Sequence, residues 1–363
     1  MMECYTLEPL EINIPVPNGT YEVRVDLKAH SDTVFTIYSQ HRSFVVRDKK
    51  IKTGESYEIT FTVSVCDRHF NGAEYENVSG VKIQIVTDGD ITATAAVSAI
   101  KVPTLYICGD STVTDQPAEY PYVPEETFCG WGQAFSQLIT PELAVSNHAQ
   151  SGSCTTAFME TNLTAFENKI RTGDYMVIEF GHNDQKIPEL DAFGGYKQNL
   201  IKLAGIARSH GAEPIICSPI NRIIFEENGK LLNLLGAYRD ACEEAANELG
   251  CPFIDLWRRT TDYFETAGPV KSPLFFRNKG EEHDYTHTND IGGTMIAKFF
   301  AQEMIRANGP LARYINPDLI TVEQVYADPG DKLQSTEAAD HIKTVGLVNV
   351  PEDFDADITG LQI

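Results

Sequence analysis

The segment GDSTV at residues 109–113 contains a serine, Ser111, that could act as a nucleophile. It follows the short apolar run 105–108, and residues just past the carboxyl end of a strand face the ligand in open α/β sheets. A serine that caps a helix or closes a turn is the alternative. Because Val113 stands where the G-x-S-x-G elbow of α/β-hydrolases has its second glycine, the segment disfavours an α/β-hydrolase.

A serine hydroxyl is a weak nucleophile unless a base takes its proton, so the chain must also supply a histidine and a carboxylate that orients it. Asp284 and His287 lie three residues apart, shortly before the last predicted helix. In a loop or a single turn, this spacing lets the carboxylate reach the imidazole Nδ1 and leaves Nε2 for the serine. Loop histidines are commonly structural or solvated, and the competitors for the role are His148, His182, His210 and His283.

Two further segments, 147–153 and 181–185, follow the next two apolar runs. Acyl transfer needs hydrogen-bond donors where the carbonyl oxygen becomes an anion, and each donor lowers the barrier by about 2.7–4 kcal/mol. A glycine exposes its backbone N–H and an asparagine supplies amide N–H groups, although tight turns are the commoner role of both. Three segments at successive strand ends and a fourth before the final helix together predict a site for acyl transfer.

The elements that must position these segments begin at Pro103, where short apolar runs start to alternate with helix-length stretches. This pattern is typical of parallel strands that are buried on both faces and connected by helices. The predicted strands are 105–108, 143–145, 175–180, 214–217 and 252–256. The predicted helices are 132–139, 196–209, 231–249 and 291–307, the last of them capped by Asn289 or Asp290.

Residues 1–102 are predicted to form an all-β module. In the stretch 21–27, apolar residues alternate with charged ones, which is the period of a strand with one buried face. The alternation recurs at 57–65, 81–85 and 91–97, and strands at this spacing without helical periods predict an antiparallel sandwich or jelly roll. The chain is thus divided into this module, an α/β domain at 103–312 and an acidic extension at 313–363, in which 344–350 could add a strand to a neighbour.

The 363 residues include 52 Asp and Glu against 29 Lys and Arg, for a net charge of −23. This charge disfavours nucleic acid and anionic membranes as partners, because proteins that bind them neutralise phosphates with clustered basic side chains. An acidic polymer would also be repelled at long range. With 42% hydrophobic residues, the chain is expected to be globular.

The eight cysteines, among them Cys4, show no CxxC spacing and are expected to be reduced thiols in a reducing compartment. Residues 1–5 lack a basic region followed by an apolar stretch, so we expect a cytoplasmic protein, or a secreted one if a leader once preceded the chain. No apolar run approaches the length of about 18–20 residues that spans a bilayer.

Taken together, the four segments resemble the blocks of the SGNH (GDSL-like) hydrolases. GDSTV, NHAQSG, FGHNDQK and THTN are similar, more narrowly, to the rhamnogalacturonan acetylesterase branch, and the resemblance covers about residues 103–310. It implies a three-layer α/β/α flavodoxin-like domain with a parallel sheet, and ester hydrolysis without metal or cofactor. The β module is similar to the N-terminal sandwich that accompanies some bacterial members of this branch.

Carried over by position, the resemblance implies a role for each of five residues. Ser111 would be the nucleophile, His287 the general base and then acid, and Asp284 the orienting carboxylate. The oxyanion hole would consist of the Ser111 N–H, the Gly152 N–H and the side-chain amide of Asn183.

Two positions depart from the pattern of that branch. Ser153 and Cys154 stand where the branch usually has Arg-Ser, and Arg222 stands alone where it often has paired arginines. Both departures remove positive charge near the cleft. Together with the net charge they predict a neutral acetylated oligosaccharide as substrate, and they disfavour polyanionic pectin.

The leading hypothesis is a carbohydrate O-acetylesterase that acts on a small-molecule or oligosaccharide acetyl ester. One alternative is a GDSL-like lipase, thioesterase or lysophospholipase, which would need a long apolar acyl slot. Another is a non-catalytic sugar-binding protein in which the β module does the binding. Trp131, Arg222 and Trp257 are predicted to contact substrate, although tryptophan is more often part of a core. Neither a nucleic acid nor a membrane partner is predicted, and a homodimer is left open.

Overall fold

A computed structural model describes residues 9–331 except 70–74, 77–79, 119, 121 and 227. The predictions for Cys4, for a strand at 344–350 and for most of the acidic extension lie outside the described residues. In the described part, the sheets formed before residue 100 are antiparallel, and the sheet that begins at residue 104 is parallel. The domain limits at 102 and 312 stay predictions.

The N-terminal part is all β, as predicted. Alternate residues of its second strand, such as Val23 and Val25, are buried while Glu22 and Arg24 are exposed. The strands are β1 Leu10–Ile14, β2 Gly19–Ala29, β3 Thr33–Ser39, β4 Ser43–Ile51, β5 Ser56–Val65, β6 Arg68–His69, β7 Tyr75–Glu76, β8 Val81–Thr87 and β9 Ile91–Ala99. One sheet has the strand order β1-β8-β3-β4 and the other β5-β2-β9, both antiparallel, and their apolar faces share one core.

The second part is built on a parallel sheet of five strands, which are β10 Thr104–Gly109, β11 Ala144–Asn147, β12 Tyr175–Glu179, β13 Glu213–Cys217 and β14 Phe253–Ile254. Their order in the sheet is β11-β10-β12-β13-β14. This order is that of the flavodoxin-like doubly wound fold, whose ligands bind at the carboxyl ends of the strands next to the first strand. The prediction of an α/β domain with a parallel sheet is confirmed.

Helices cover both faces of this sheet and form the outer two of three layers. Within β10, Leu105 and Ile107 face one hydrophobic core, whereas Tyr106 and Cys108 face the other. The helices are α1 Trp131–Phe135, α2 Thr155–Glu160, α3 Lys197–Ser209, α4 Gly236–Leu249, α5 Leu256–Lys271 and α6 Asp290–Arg306. A hairpin of β15 Phe276–Lys279 and β16 Glu282–Thr288 precedes α6.

Several element boundaries differ from the prediction, and local capping explains the differences. Helix α4 begins at Gly236 and not at residue 231, because the Asn233 side chain accepts the Gly236 N–H at 2.9 Å in a preceding turn. Strand β14 ends early and the unpredicted helix α5 begins, because the Asp255 carboxylate caps it through the Arg258 N–H. The predicted cap at Asn289 is confirmed: its side chain accepts two N–H groups of the first turn of α6.

Candidate active site

Ser111 lies at the end of β10 in a turn that folds back against the neighbouring strand. A Cβ at Gly109 would come within 2.7 Å of Val113 and 2.8 Å of the Glu179 carbonyl oxygen, so only glycine permits this close approach. The turn is closed by the Val113 N–H, which donates to the Asp110 carbonyl oxygen at 3.1 Å. Ser111 is 9% exposed, so it is almost completely buried in this turn.

Asp284 and His287 lie in strand β16, not in the loop or single turn that the spacing predicted. The Asp284 Oδ1 accepts the N–H groups of Thr286 and His287 at 2.7 Å each, which bends the strand around the carboxylate. The Asp284 Oδ2 lies 2.8 Å from Nδ1 of His287, and Nε2 of His287 lies 2.8 Å from Oγ of Ser111. The structure thus brings the three residues into one hydrogen-bonded chain.

The carboxylate of Asp284 remains ionised in this setting. Burial by itself would raise the pKa of Asp284, but the hydrogen bond and charge of His287, with the two backbone N–H groups, lower it to about 2. Arg222 supports the strand from inside, with one guanidinium N–H bonded to the Thr286 hydroxyl and another 3.3 Å from the His182 carbonyl oxygen. Burial lowers the pKa of Arg222 to about 10, and the charges of Asp110 and Asp284 oppose this shift.

Gly152 and Asn183 lie on two loops that are joined to each other. Gly152 is exposed and has a φ of +77°, a conformation that favours glycine. The Asn183 Nδ2 donates to the carbonyl oxygen of Ser153 at 3.1 Å, and its Oδ1 accepts from Nζ of Lys186 at 3.1 Å. These two bonds fix which end of the amide is the donor.

Gln116 connects the Gly152 loop to the serine turn. Its Nε2 lies 3.4 Å from the carbonyl oxygen of Ser111 and 3.1 Å from the hydroxyl of Ser151. On the other side of the site, Oδ1 of Asp184 accepts the Thr155 N–H at 2.9 Å and so holds the start of α2. The loops that follow β10, β11 and β12 are therefore connected to one another by side-chain hydrogen bonds.

The prediction that Trp131 contacts substrate is wrong. Trp131 is completely buried, its ring stacks on Phe300 with 4.8 Å between centroids, and its Nε1 donates to Oε2 of Glu179 at 2.8 Å. Arg222 is 3% exposed and bonded within the protein, so it lies beneath the site and cannot serve as the surface contact that was predicted. Trp257 is partly buried at the start of α5, and its predicted contact with substrate stays a prediction.

Sequence reasoning missed Glu179, which is completely buried beneath the serine turn. Burial and the nearby charge of Asp110 raise its pKa well above the usual range, while its carboxyl oxygens accept hydrogen bonds from the indole of Trp131 and the hydroxyl of Thr112. The signal was present, since Glu179 is an acidic residue inside an apolar run that predicts a strand buried on both faces.

The competing histidines have other surroundings. The imidazole of His148 stacks on Phe166, that of His182 lies 3.6 Å from the Asp110 carboxylate, and His283 contacts Asn278. His210 lies 3.7 Å from Glu167 at the surface. Of the histidines compared, His287 is the one hydrogen-bonded to Ser111.

Three further features concern the described ranges as a whole. No three His, Cys, Asp or Glu side chains among the described residues are grouped so that they could hold a metal ion. No helix in the described part of the chain has the length and apolar character needed to cross a membrane. The cysteines at 66, 108, 129, 154, 217, 242 and 251 are all free thiols.

Comparisons with known proteins were made for both sequence and structure. The rhamnogalacturonan acetylesterase RhgT of Bacillus subtilis (strain 168) is 36% identical over 221 residues, which cover 58% of this chain and 93% of RhgT. The probable rhamnogalacturonan acetylesterase YesY of the same strain is 30% identical over 216 residues, which cover 58% of this chain and 96% of YesY. The crystal structure of YxiM from Bacillus subtilis matches with a TM-score of 0.54 and 25% identity, covering 82% of this chain and 80% of that one.

The family model described as GDSL-like Lipase/Acylhydrolase matches residues 107–294, just over half of the chain. This range contains all four sequence segments from which the resemblance was drawn. The resemblance to the SGNH hydrolases and to the rhamnogalacturonan acetylesterase branch is thereby confirmed. The chain belongs to the GDSL-like lipase/acylhydrolase family and is a carboxylic ester hydrolase of the branch that contains RhgT.

Proposed function

We propose that this protein removes O-acetyl groups from acetylated carbohydrate through Ser111, His287 and Asp284. The observation that carries the proposal is the hydrogen-bonded chain from Oγ of Ser111 through the imidazole of His287 to Asp284, with 2.8 Å at each step. A non-catalytic sugar-binding protein, the alternative from another class, would have no use for such a chain. The names of RhgT and YesY support an acetylated carbohydrate as substrate.

The proposed reaction proceeds in two acyl transfers. Nε2 of His287 takes the proton of Ser111 as Oγ bonds to the acetyl carbonyl carbon, and the carbonyl oxygen becomes an anion. The C–O bond to the sugar then breaks, and the sugar oxygen takes the proton from His287. Water, deprotonated by the same imidazole, then attacks the acetyl carbon of the acetyl-enzyme. The bond from that carbon to Oγ breaks, Ser111 takes the proton back from His287, and acetate leaves. Asp284 holds the imidazole with Nδ1 protonated, so that Nε2 is the basic atom.

The oxyanion would be held by the Ser111 N–H, the Gly152 N–H and the Asn183 amide. Support for the Asn183 role comes from Lys186 and Ser153, which fix the amide so that Nδ2 is a donor and one of its two hydrogens is already bonded. The second hydrogen is the one proposed to bind the anion. Preorganised donors of this kind need no rearrangement when the charge forms.

Replacing Asn183 by alanine is expected to lower kcat about 10²–10³-fold and to change KM little, because the lost donor acts mainly on the transition state. Steady-state hydrolysis of p-nitrophenyl acetate measures this. Lys186→Met is the companion variant, since it keeps the amide and its bond to Ser153 and removes only one of the two contacts that orient it, and it should lose less activity. A kcat for Asn183→Ala within twofold of the wild type would contradict the proposed role.

The nature of the sugar is less constrained than the reaction. The sequence predicts a neutral oligosaccharide, whereas the names of RhgT and YesY refer to rhamnogalacturonan, a polymer with acidic sugar units. Arg222 is buried and engaged, so it cannot offer its charge to a ligand, but Lys186 places an ammonium group beside Asn183. We retain the neutral oligosaccharide as the proposal because it follows from the net charge of −23 and the missing arginines.

A substrate screen tests the proposal. We expect p-nitrophenyl acetate to be hydrolysed faster than the octanoate, and acetate to be released faster from acetylated xylo-oligosaccharides than from acetylated rhamnogalacturonan oligosaccharides. Preference for the octanoate would favour the lipase, thioesterase or lysophospholipase alternative. Preference for acetylated rhamnogalacturonan would overturn the proposal of a neutral sugar and leave the proposal of an acetylesterase intact.

A cytoplasmic location and a homodimer remain proposals, to be tested by cell fractionation and by light scattering.

A further inference from the structure

Arg42 extends from the β sandwich into the hydrolase part of the molecule. It lies in the turn between β3 and β4 with a φ of +68°, and its side chain is 4% exposed. The guanidinium donates to both carboxylate oxygens of Asp290, at 2.8 and 3.1 Å. It also donates to the carbonyl oxygens of Phe128, at 2.7 Å, and Gln116, at 2.8 Å. One sandwich side chain thus contacts three separate segments of the hydrolase part.

Two of these segments flank the proposed catalytic base. Asp290 is the first residue of α6, three residues after His287. The ring of Phe128 packs edge-on against the imidazole of His287, with 5.8 Å between centroids. The next residue, Cys129, donates its N–H to the carbonyl oxygen of Thr288 at 2.9 Å, so the two segments are also bonded to each other.

The third segment, which contains Gln116, connects Arg42 to the proposed nucleophile, Ser111. The carbonyl oxygen of Gln116 accepts from Arg42, while the side chain of Gln116 donates to the carbonyl oxygen of Ser111. Arg42 is therefore one residue removed from Ser111 on one side and bonded to two segments that flank His287 on the other. A planar guanidinium with a fixed fork of donors can hold three such partners at defined angles, which an ammonium group cannot.

We propose that Arg42 is a positioning residue that sets the separation between Ser111 and His287, which makes the β sandwich part of the esterase machinery. The proposal rests on the proposed function only in so far as Ser111 and His287 act as nucleophile and base. It does not depend on which ester is the substrate. The sandwich would then act on the chemical step and not on substrate affinity.

The test is Arg42→Lys, which keeps the charge and removes the fork. We expect kcat for p-nitrophenyl acetate to fall at least tenfold with KM within twofold, and labelling of Ser111 by a fluorophosphonate probe to slow by a similar factor. The matched control is Arg68→Lys. Arg68 is another buried sandwich arginine, and it bonds Asp115 and the Asn147 carbonyl oxygen. We expect labelling in this control to remain within threefold of the wild type.

If Arg42→Lys does not fold, the pair Arg42→Gln with Asp290→Asn leaves no charge buried alone and should fold, while still losing at least tenfold in labelling rate. A folded Arg42 variant that is labelled at the wild-type rate would overturn the proposal. Equal losses of labelling rate in the Arg42 and Arg68 variants would also overturn it, because they would indicate that both arginines only stabilise the interface. A wild-type protein that is labelled but releases no acetate from any carbohydrate would refute the proposed substrate. The labelling rates of the Arg42 variants would still decide the proposal for Arg42.

Discussion

Replacing Ser111 or His287 by alanine is expected to reduce kcat about 10⁶-fold, and the double variant should be no worse than either single one. The two side chains form one unit: without His287 the serine keeps its proton, and without Ser111 the imidazole has no nucleophile to activate. Acetate release from the best substrate of the screen measures the loss, with labelling by a fluorophosphonate probe as a second readout.

Comparing the single variants with the double variant shows whether Ser111 and His287 act together or independently. Losses that multiply would mean that the two residues act independently, which contradicts the proposed relay. Ser272→Ala provides a matched serine control, because Ser272 is also buried but bonds the carbonyl oxygens of Phe264 and Gly268. An equal loss of activity in that control would point to a damaged fold and not to a missing nucleophile.

Replacing Asp284 by asparagine is expected to lower kcat about 10⁴-fold with the fold retained. The amide oxygen of the introduced side chain can still accept the N–H groups of Thr286 and His287, which Oδ1 of Asp284 accepts now. The NH₂ group would then face Nδ1 of His287 and force it to be an acceptor. Nε2 would carry the hydrogen in that tautomer and could not take a proton from Ser111.

The pH dependence gives this prediction a second check. Because the folded-state pKa of Asp284 is about 2, below the ordinary 3.8, its ionised form stabilises the fold fully above about pH 4, and this contribution is lost as the pH falls through 2. The difference in free energy of unfolding between wild type and Asp284→Asn should therefore shrink below about pH 4. Activity that falls less than tenfold in Asp284→Asn would contradict the orienting role.

The parts of the fold that were predicted correctly are those with a local signal. The apolar runs that became β10 to β13 are buried on both faces, and Asn289 caps α6 with its own side chain. Ser111, Asp284 and His287 were found because their residue types and their order along the chain suggested one reaction. For Gly152 and Asn183, the order of the segments predicts a place in the oxyanion hole. That role stays a prediction.

The errors have a common origin in contacts that no local pattern records. The segment of Asp284 and His287 is a strand because it pairs with β15, and this pairing has no counterpart in the local spacing that predicts a loop or single turn. Trp131 is surrounded in sequence by polar and small residues, yet Phe300 covers its ring. Arg42 and Asp290 are 248 positions apart, and nothing near either residue indicates the pairing.

Side chains of the sandwich and of the hydrolase part are buried together in one hydrophobic cluster, which limits how far either part can be exchanged. Tyr38 and Phe44 of the sandwich belong to the same buried cluster as Trp131 and Phe300 of the hydrolase part. A sandwich transplanted from a relative would therefore have to reproduce the shape of this surface as well as its own strands. Separating the two parts at the boundary near residue 102 would expose apolar side chains on both fragments, so we expect neither part of this chain to be as stable alone as it is in the intact protein.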